Sequence, residues 1–305
     1  MARKFNHIAV LMGGTSSERE VSLRSGQAVV QGLNQAGYQI TPVVLDTNSI
    51  DSLPNTIDAV FIVLHGGYGE NGTVQADLDK RRIPYTGPGS AASRLTINKA
   101  ATQQTLAKAG LPIPPNELLS ATATTTVIPY PVVVKPPCDG SSVGISLVPE
   151  PAALPAALTL ARQHAPQGEV MVEAYIPGRE WTVGVLIDRP LPAVEICAPN
   201  GWYDYHAKYN SNTTRYLFAD NATDHTTAAL CQQLALKAFA ATGCRGYSRV
   251  DFRVTPEGHP FILEINTVPG FTATSLLPKG AAHAGINFPE LCATIIETAQ
   301  YDEHT

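Results

Sequence analysis

Hydrophobic positions in the first ninety residues form short continuous runs separated by amphipathic stretches, the pattern of a parallel sheet covered by helices. Ile8 to Met12 predicts a buried strand that ends at Gly13-Gly14. After Thr15-Ser16, Ser17-Glu18-Arg19-Glu20 has the spacing of a capping box, Val21, Ser25, Ala28, Val29 and Leu33 recur on one helical face, and Gly37 closes that helix. Thr41 to Leu45 predicts a second strand. Ala59 to Leu64 predicts a third, which runs into His65-Gly66-Gly67-Tyr68-Gly69-Glu70-Asn71-Gly72. In an open parallel sheet ligands sit outside the carboxyl ends of strands, so both glycine-rich turns are expected to face one crevice.

A boundary is expected near Pro84-Tyr85-Thr86-Gly87-Pro88-Gly89, followed by a helix from Ser90 to Ala109 that stops at Gly110-Leu111-Pro112. The middle segment holds a strand, Tyr130 to Lys135, then the small-residue loop Cys138 to Gly144 and a helix near Ala152 to His164. Glu169 to Tyr175 and Glu180 to Ile187 read as strands with Pro177-Gly178 as the turn between them. Ala198 to Asp224 reads as a long irregular stretch, which in a compact domain is usually functional. A helix from Thr226 to Thr242, strands over Ser248 to Val254 and Pro260 to Ile265, and a final helix near Phe288 to Thr298 complete the pattern.

Composition narrows the function classes. The chain has 305 residues, enough for about two domains, or three small ones. Charged residues are only 15% and the net charge is −5, which removes the basic footprint of a dedicated nucleic-acid binder but leaves room for an anionic small molecule. No apolar run approaches a membrane span, and the run at Ile8 is too short for a signal peptide. The cysteines Cys138, Cys197, Cys231, Cys244 and Cys292 are scattered and odd in number, so they read as reduced cytosolic thiols, not as a zinc site or a disulfide framework.

The most informative chemistry lies in the paired segments Arg249-Val250-Asp251-Phe252 and Leu263-Glu264-Ile265-Asn266. Glu264 and Asn266 are two apart on a strand and share a face, and a turn near Pro256-Glu257-Gly258 brings Asp251 roughly opposite Glu264. Facing carboxylates repel unless a cation lies between them, and a set of Asp, Glu and Asn oxygens suits a hard ion such as Mg²⁺. An exposed polar face on an edge strand would have the same spacing, and spacing leaves both open. Lys135, followed by Gly140-Ser141-Ser142-Val143-Gly144, offers a cation beside a loop whose N–H groups could approach phosphate. Taken singly, that loop reads as an ordinary turn, Lys99 and Lys208 as solvated lysines, Glu18 as an acidic first-turn residue favoured by the helix dipole, and His65 as a turn histidine.

Taken together and in order, the motifs change that reading. Gly13-Gly14-Thr15-Ser16-Ser17-Glu18-Arg19-Glu20-Val21-Ser22, Leu64-His65-Gly66, Asn98-Lys99, Val134-Lys135-Pro136, Gly140 to Gly144, Tyr203 to Tyr209, Arg249-Val250-Asp251 and Glu264 to Gly270 closely resemble the D-alanine-D-alanine ligase family across nearly the whole chain. The resemblance implies the ATP-grasp architecture, α/β and α+β. A Rossmann-like N-terminal domain would span 1–92, a central ATP-grasp domain 93–178, and a C-terminal catalytic domain 179–305 with a mobile loop at about 198–224. It implies ATP and Mg²⁺ as cofactors, with Mn²⁺ as a substitute, and D-alanine as the substrate. A cytoplasmic homodimer with no nucleic-acid or membrane partner is the matching expectation.

Carried over residue by residue, the resemblance makes Lys99, Lys135 and Lys208 phosphate-facing cations, with Ser142 beside them, and Glu173 and Glu180 the adenine and ribose contacts. Asp251, Glu264 and Asn266 would be the metal ligands. Arg249 would stabilise the phosphoryl-transfer transition state and Gly270 would donate to an oxyanion. Glu18 would hold the ammonium of the first D-alanine, Ser275 and Leu276 would meet the carboxylate of the second, and His65 would lie near the substrate. Ser141 and Tyr209 would link to Glu18 and close the long loop over the site. The sequence departs from the family at Pro136-Pro137-Cys138-Asp139, at Ala174, at His206 and at Asp220-Asn221, none of which carries an implied catalytic role. The implied product is D-alanyl-D-alanine for peptidoglycan precursors. The alternatives are a D-lactate or D-serine acceptor, or a catalytically silent ATP-grasp binding protein.

Overall fold

The computed structural model describes residues 3–138, 144–198, 213–219, 222–272 and 274–303. Three sheets organise them. The first is parallel, in the order β2-β1-β3, with β1 His7–Gly13, β2 Gln39–Leu45 and β3 Ala59–Ile62. Helix α1, Arg19–Gln35, connects the first two strands and buries Val21, Ser25, Val29 and Leu33 as its periodicity requires. The expected capping box of Ser17 and Glu20 is not formed: the helix starts at Arg19, with Glu18 at the N-cap position and no side-chain cap. Just before it, Ser16 donates its hydroxyl to the His65 carbonyl at 2.6 Å and ties the two glycine-rich turns together. The second glycine-rich turn contains a short helix, α2 at Gly67–Glu70, followed by α3 at Thr73–Lys80.

The single helix expected over Ser90 to Ala109 is two, α4 at Ser90–Ile97 and α5 at Lys99–Lys108. Asn98 is extended between them, and its side chain accepts from the Ala101 N–H at 3.1 Å, an N-cap inside an otherwise helical run. The break matters for the site. It places Lys99 in the first turn of α5, with its backbone N–H donating to the Pro137 carbonyl at 2.8 Å.

The second sheet is antiparallel, β4-β7-β5-β6, built from β4 Asn116–Leu119, β5 Val132–Lys135, β6 Ser146–Val148 and β7 Val170–Ala174. Helix α6, Leu154–Gln163, covers one face. The other face carries Val133, Lys135, Met171 and Glu173 in register. The third sheet runs β11-β10-β8-β12-β13, with β9 Arg189–Pro190 beside β8. Its strands are β8 Arg179–Leu186, β10 Val194–Cys197, β11 Arg215–Phe218, β12 Tyr247–Val254 and β13 Pro260–Asn266. Although β7 and β8 are consecutive, they do not pair: the turn at Pro177-Gly178 carries the chain from one sheet to the other. Within the stretch expected to be irregular, β11 is an edge strand on β10, and helix α7, Ala222–Ala241, begins before its end. The rest of that stretch lies outside the described residues.

Strand alternation decides which side of β12 is polar. Val250, Phe252 and Val254 pack with Trp181 and Val183 against α7, so Arg249, Asp251 and Arg253 face the other way. A bulge between Asp251 and Phe252 on this ladder lets Ile262 and Ile265, three apart, both enter the core. The chain then returns to its start. Helices α8, Leu276–His283, and α9, Phe288–Glu297, pack with β1 and α1 through Val10, Leu33, Leu277, Leu291 and Ile295. Phe271 sits edge-on to Phe61 at 5.4 Å and to Tyr247 at 5.8 Å, joining the parallel sheet to the third sheet. No described helix is long and apolar enough to cross a membrane.

Candidate active site

Two crevices meet between these layers. The first is lined by Glu18 and His65 from the two glycine-rich turns, Arg249, Asn266, Gly270, and Ser275 and Leu276 at the start of α8. Both turns therefore face one crevice, as the sheet topology predicts. The second lies between the two antiparallel sheets and is lined by Lys135, Glu173, Glu180, Asp251 and Arg253. Lys99 and Glu264 line both, with Nζ to Oε2 at 3.2 Å, so this ion pair stands at the junction.

In the second crevice Lys135 reaches across the ladder to Glu173, Nζ to Oε1 at 2.7 Å, with only 6% and 5% of the two side chains exposed. Gln103 donates to the other Glu173 oxygen at 3.0 Å and accepts from Asn116 at 2.7 Å, so the carboxylate is held from two sides. The added hydrogen bond satisfies the carboxylate oxygen that the lysine does not reach, as a buried pair requires.

The strand pairing sets Asp251 opposite Glu264, as the turn between the strands led one to expect, and the bulge between Asp251 and Phe252 supplies the one-residue shift that brings Glu264 there in place of Leu263. Each carboxylate has a protein cation: Arg249 grips Asp251, and Lys99 meets Glu264. Asn266 accepts from the Val268 N–H at 3.0 Å through its amide oxygen, which retains a second lone pair. Among the described residues no three or more His, Cys, Asp and Glu side chains gather as a complete metal site. The donor set nevertheless fits Mg²⁺, which is commonly held by one or two carboxylates and completes its shell with substrate phosphates and water.

The floor of the first crevice is held by a hydrogen-bond chain. His65 Nδ1 lies 3.0 Å from the Val268 carbonyl and so carries the proton, leaving Nε2 to accept from Ser25 Oγ at 3.3 Å. Ser25 Oγ in turn accepts from the Phe271 N–H at 3.2 Å. The loop bearing Gly270 is thus tied to α1. A Cβ at Gly270 would approach Ser275 Oγ to 2.7 Å, so glycine lets the backbone lie close to the start of α8. Ser275 Oγ accepts from the Thr272 N–H at 2.9 Å.

The structure therefore brings Glu18, His65, Lys99, Arg249, Glu264, Asn266, Gly270, Ser275 and Leu276 to one crevice and Lys135, Glu173, Glu180 and Asp251 to its neighbour. Ser141, Ser142, Lys208 and Tyr209 lie outside the described residues. Three further side chains belong with these. Thr182 donates to Asp251 Oδ1 at 2.5 Å, Ser25 anchors the Gly270 loop, and Arg253 lines the second crevice. Thr182 and Arg253 each stand two residues beyond a singled-out position on the same strand, Glu180 and Asp251, so the strand period points to both.

A crevice between two antiparallel sheets that meets, at Lys99 and Glu264, another crevice lined by the turns of a parallel sheet is the arrangement of the ATP-grasp class of enzymes. The family described as "D-ala D-ala ligase C-terminus" matches residues 100–297, and "D-ala D-ala ligase N-terminus" matches 7–50 and 47–88. The chain belongs to the D-alanine-D-alanine ligase family. It is 45% identical to a D-alanine--D-alanine ligase of Cereibacter sphaeroides, covering 97% of each chain. It is 43% identical to that of Syntrophotalea carbinolica, covering 96% of this chain and 95% of the relative. Among solved structures, the D-alanine--D-alanine ligase of Bacillus anthracis superimposes with a TM-score of 0.85 at 33% identity, covering 96% of this chain and 97% of that one. The same enzyme complexed with ATP superimposes at 0.84, with 30% identity and 96% and 97% coverage.

Proposed function

We propose that this chain joins two D-alanine molecules into D-alanyl-D-alanine, converting ATP to ADP and phosphate, for peptidoglycan precursors. The observation that carries the reading is the Lys99–Glu264 pair at the junction of the two crevices, which gives a nucleotide on one side and amino acids on the other a single charged meeting point. The relatives described above are all named for the dipeptide, which favours it over an ester or a D-serine product.

A carboxylate is a poor electrophile, so it must be activated before an amine can displace one of its oxygens. A carboxylate oxygen of the first D-alanine attacks the γ-phosphorus of ATP, the bond to the β-phosphate oxygen breaks, and ADP leaves. The ammonium group of the second D-alanine first loses one proton to solvent; its nitrogen then attacks the acyl carbon, the bond to the phosphate oxygen breaks with its electrons going to phosphate, and the nitrogen gives its remaining extra proton to that phosphate. Glu18 holds the ammonium of the first substrate, and Ser275 and the Leu276 backbone receive the carboxylate of the second. His65 supports the loop whose Gly270 N–H faces the developing oxyanion. Lys135 and Lys99 attract the phosphates, Glu173 and Glu180 receive the adenine and ribose, and Arg249 stabilises the phosphoryl group in transit. Asp251, Glu264 and Asn266 would hold Mg²⁺, which neutralises phosphate charge when bound. Ser141, Ser142, Lys208 and Tyr209 complete the proposed site. We place the reaction in the cytoplasm and in a homodimer.

Phosphate release with ATP and Mg²⁺ tests the reading: D-alanine is expected to stimulate release and yield the dipeptide, and L-alanine is not. An absence of D-alanine-dependent release would defeat it.

A further inference from the structure

Arg253 stands two residues beyond Asp251 on β12 and projects from the same polar face. It retains only 7% exposure, and a buried guanidinium needs acceptors for its N–H groups. Those acceptors lie on one segment. Nε donates to the Ile176 carbonyl at 3.1 Å, and Nη2 donates to the Gly178 carbonyl at 2.8 Å and to the Tyr175 hydroxyl at 3.3 Å. The guanidinium carbon lies 5.4 Å from the centre of the Tyr175 ring, and Glu180 Oε2 is 3.8 Å from Nη1.

Tyr175 to Gly178 is the crossover between the two antiparallel sheets. Glu173 stands just before it on β7 and Glu180 just after it on β8. The start of the crossover is tied to the central sheet region, where the Ala174 and Tyr175 N–H groups donate to the Pro115 and Pro131 carbonyls at 2.8 and 3.0 Å. Its end is tied to the third sheet by Arg253. Gly178, at φ 129°, lies so close to the Val254 carbonyl that any Cβ would collide with it, so the turn rests on the backbone beside Arg253.

Two carboxylates on either side of a joint between sheets can grip one ligand tightly only if the joint is fixed beforehand. We infer that Arg253 is a positioning residue that clasps this crossover, sets the spacing of Glu173 and Glu180, and so tunes nucleotide affinity without touching the reacting atoms. The inference rests on the nucleotide reading of the second crevice.

The test compares the full-length wild type with Arg253→Met, which keeps an unbranched side chain but removes the fork, and with Arg253→Lys. In Arg253→Met the KM for ATP is expected to rise about tenfold, the scale of one lost charge-assisted hydrogen bond. The dissociation constant for ADP, titrated without D-alanine, should rise by the same factor. The kcat and the KM for D-alanine should stay within about twofold, and Arg253→Lys should recover part of the loss. Tyr175→Phe, which removes only the phenol acceptor, should weaken ADP binding in the same direction and keeps the test open if Arg253→Met does not fold. Unchanged ADP affinity in a folded Arg253→Met or Tyr175→Phe protein overturns the clasp, as does a fall in kcat at constant ATP affinity. Wild-type protein that neither binds ADP nor forms it would instead defeat the functional reading, so the two failures are distinguishable.

Discussion

Arg249 and Asp251, two residues apart on β12, are joined by a two-pronged contact, Nε to Oδ1 at 2.9 Å and Nη2 to Oδ2 at 2.7 Å. Thr182 adds a third donor to this carboxylate, at Oδ1. The carboxylate proposed to hold the metal is therefore neutralised by the cation proposed to act on the transferring phosphoryl group. Replacing Arg249 with Ala is expected to lower kcat by roughly a hundredfold to a thousandfold, the scale of losing one preorganised transition-state contact. Arg249→Lys, which keeps the charge but not the fork, should fall between. Steady-state kinetics decides the point: a raised KM for ATP with unchanged kcat would assign Arg249 to ground-state binding alone.

The Lys135–Glu173 pair offers a stability measurement. Removing one member leaves the other charge buried without its partner, so Glu173→Ala or Lys135→Ala should destabilise the chain by about 3 to 5 kcal/mol. The double substitution Lys135→Met with Glu173→Met should recover most of that loss while abolishing the site. Urea unfolding of the three proteins reads the difference, and a double variant no more stable than the single ones would argue against charge burial as the cause.

Ser25 touches no proposed substrate, yet it links His65 to the Gly270 loop. In Ser25→Ala, His65 Nε2 loses a donor and the Phe271 N–H loses an acceptor. The expected result is a fall in kcat of about tenfold with a smaller change in ATP affinity, since a misplaced oxyanion donor acts on the chemical step. Equal loss in ATP binding and turnover would point to general loosening of α1.

Buried thiols set an alkaline limit on stability. Burial pushes Cys231 and Cys292 from 9.0 up to about 12 and Cys244 up to about 11. Above about pH 9 the unfolded chain releases these protons while the folded chain retains them, so their stabilising contribution is full below pH 9 and declines as pH rises toward 11 to 12. Urea midpoints measured from roughly pH 8 to pH 10.5 should fall, with a shallower slope in Cys231→Ala. Cys138, which is exposed, should be alkylated well before these three in the native protein.

Features that depend on local period and on residue order were legible along the chain. Apolar runs placed β1 and β3, the 3.6-residue period placed α1, and the two-residue period put Glu264 and Asn266 on one face, while their alignment with Asp251 and Arg249 depends on the bulge in the ladder. The ordered motifs were enough to indicate the family, because they carry side-chain identities that survive without geometry. Other features depended on partners distant in the chain. Asn98 interrupts a run that reads as one helix, β11 is a strand only because β10 lies beside it, and β7 and β8 look like neighbours yet belong to different sheets. Which cation neutralises which carboxylate was likewise set by tertiary packing: Lys99 and Glu264 are far apart in sequence, as are Lys135 and Glu173. Periodicity tells which face a side chain occupies, whereas the groups across a crevice are chosen by how whole sheets dock, and that docking also brought Arg253 onto the crossover it holds.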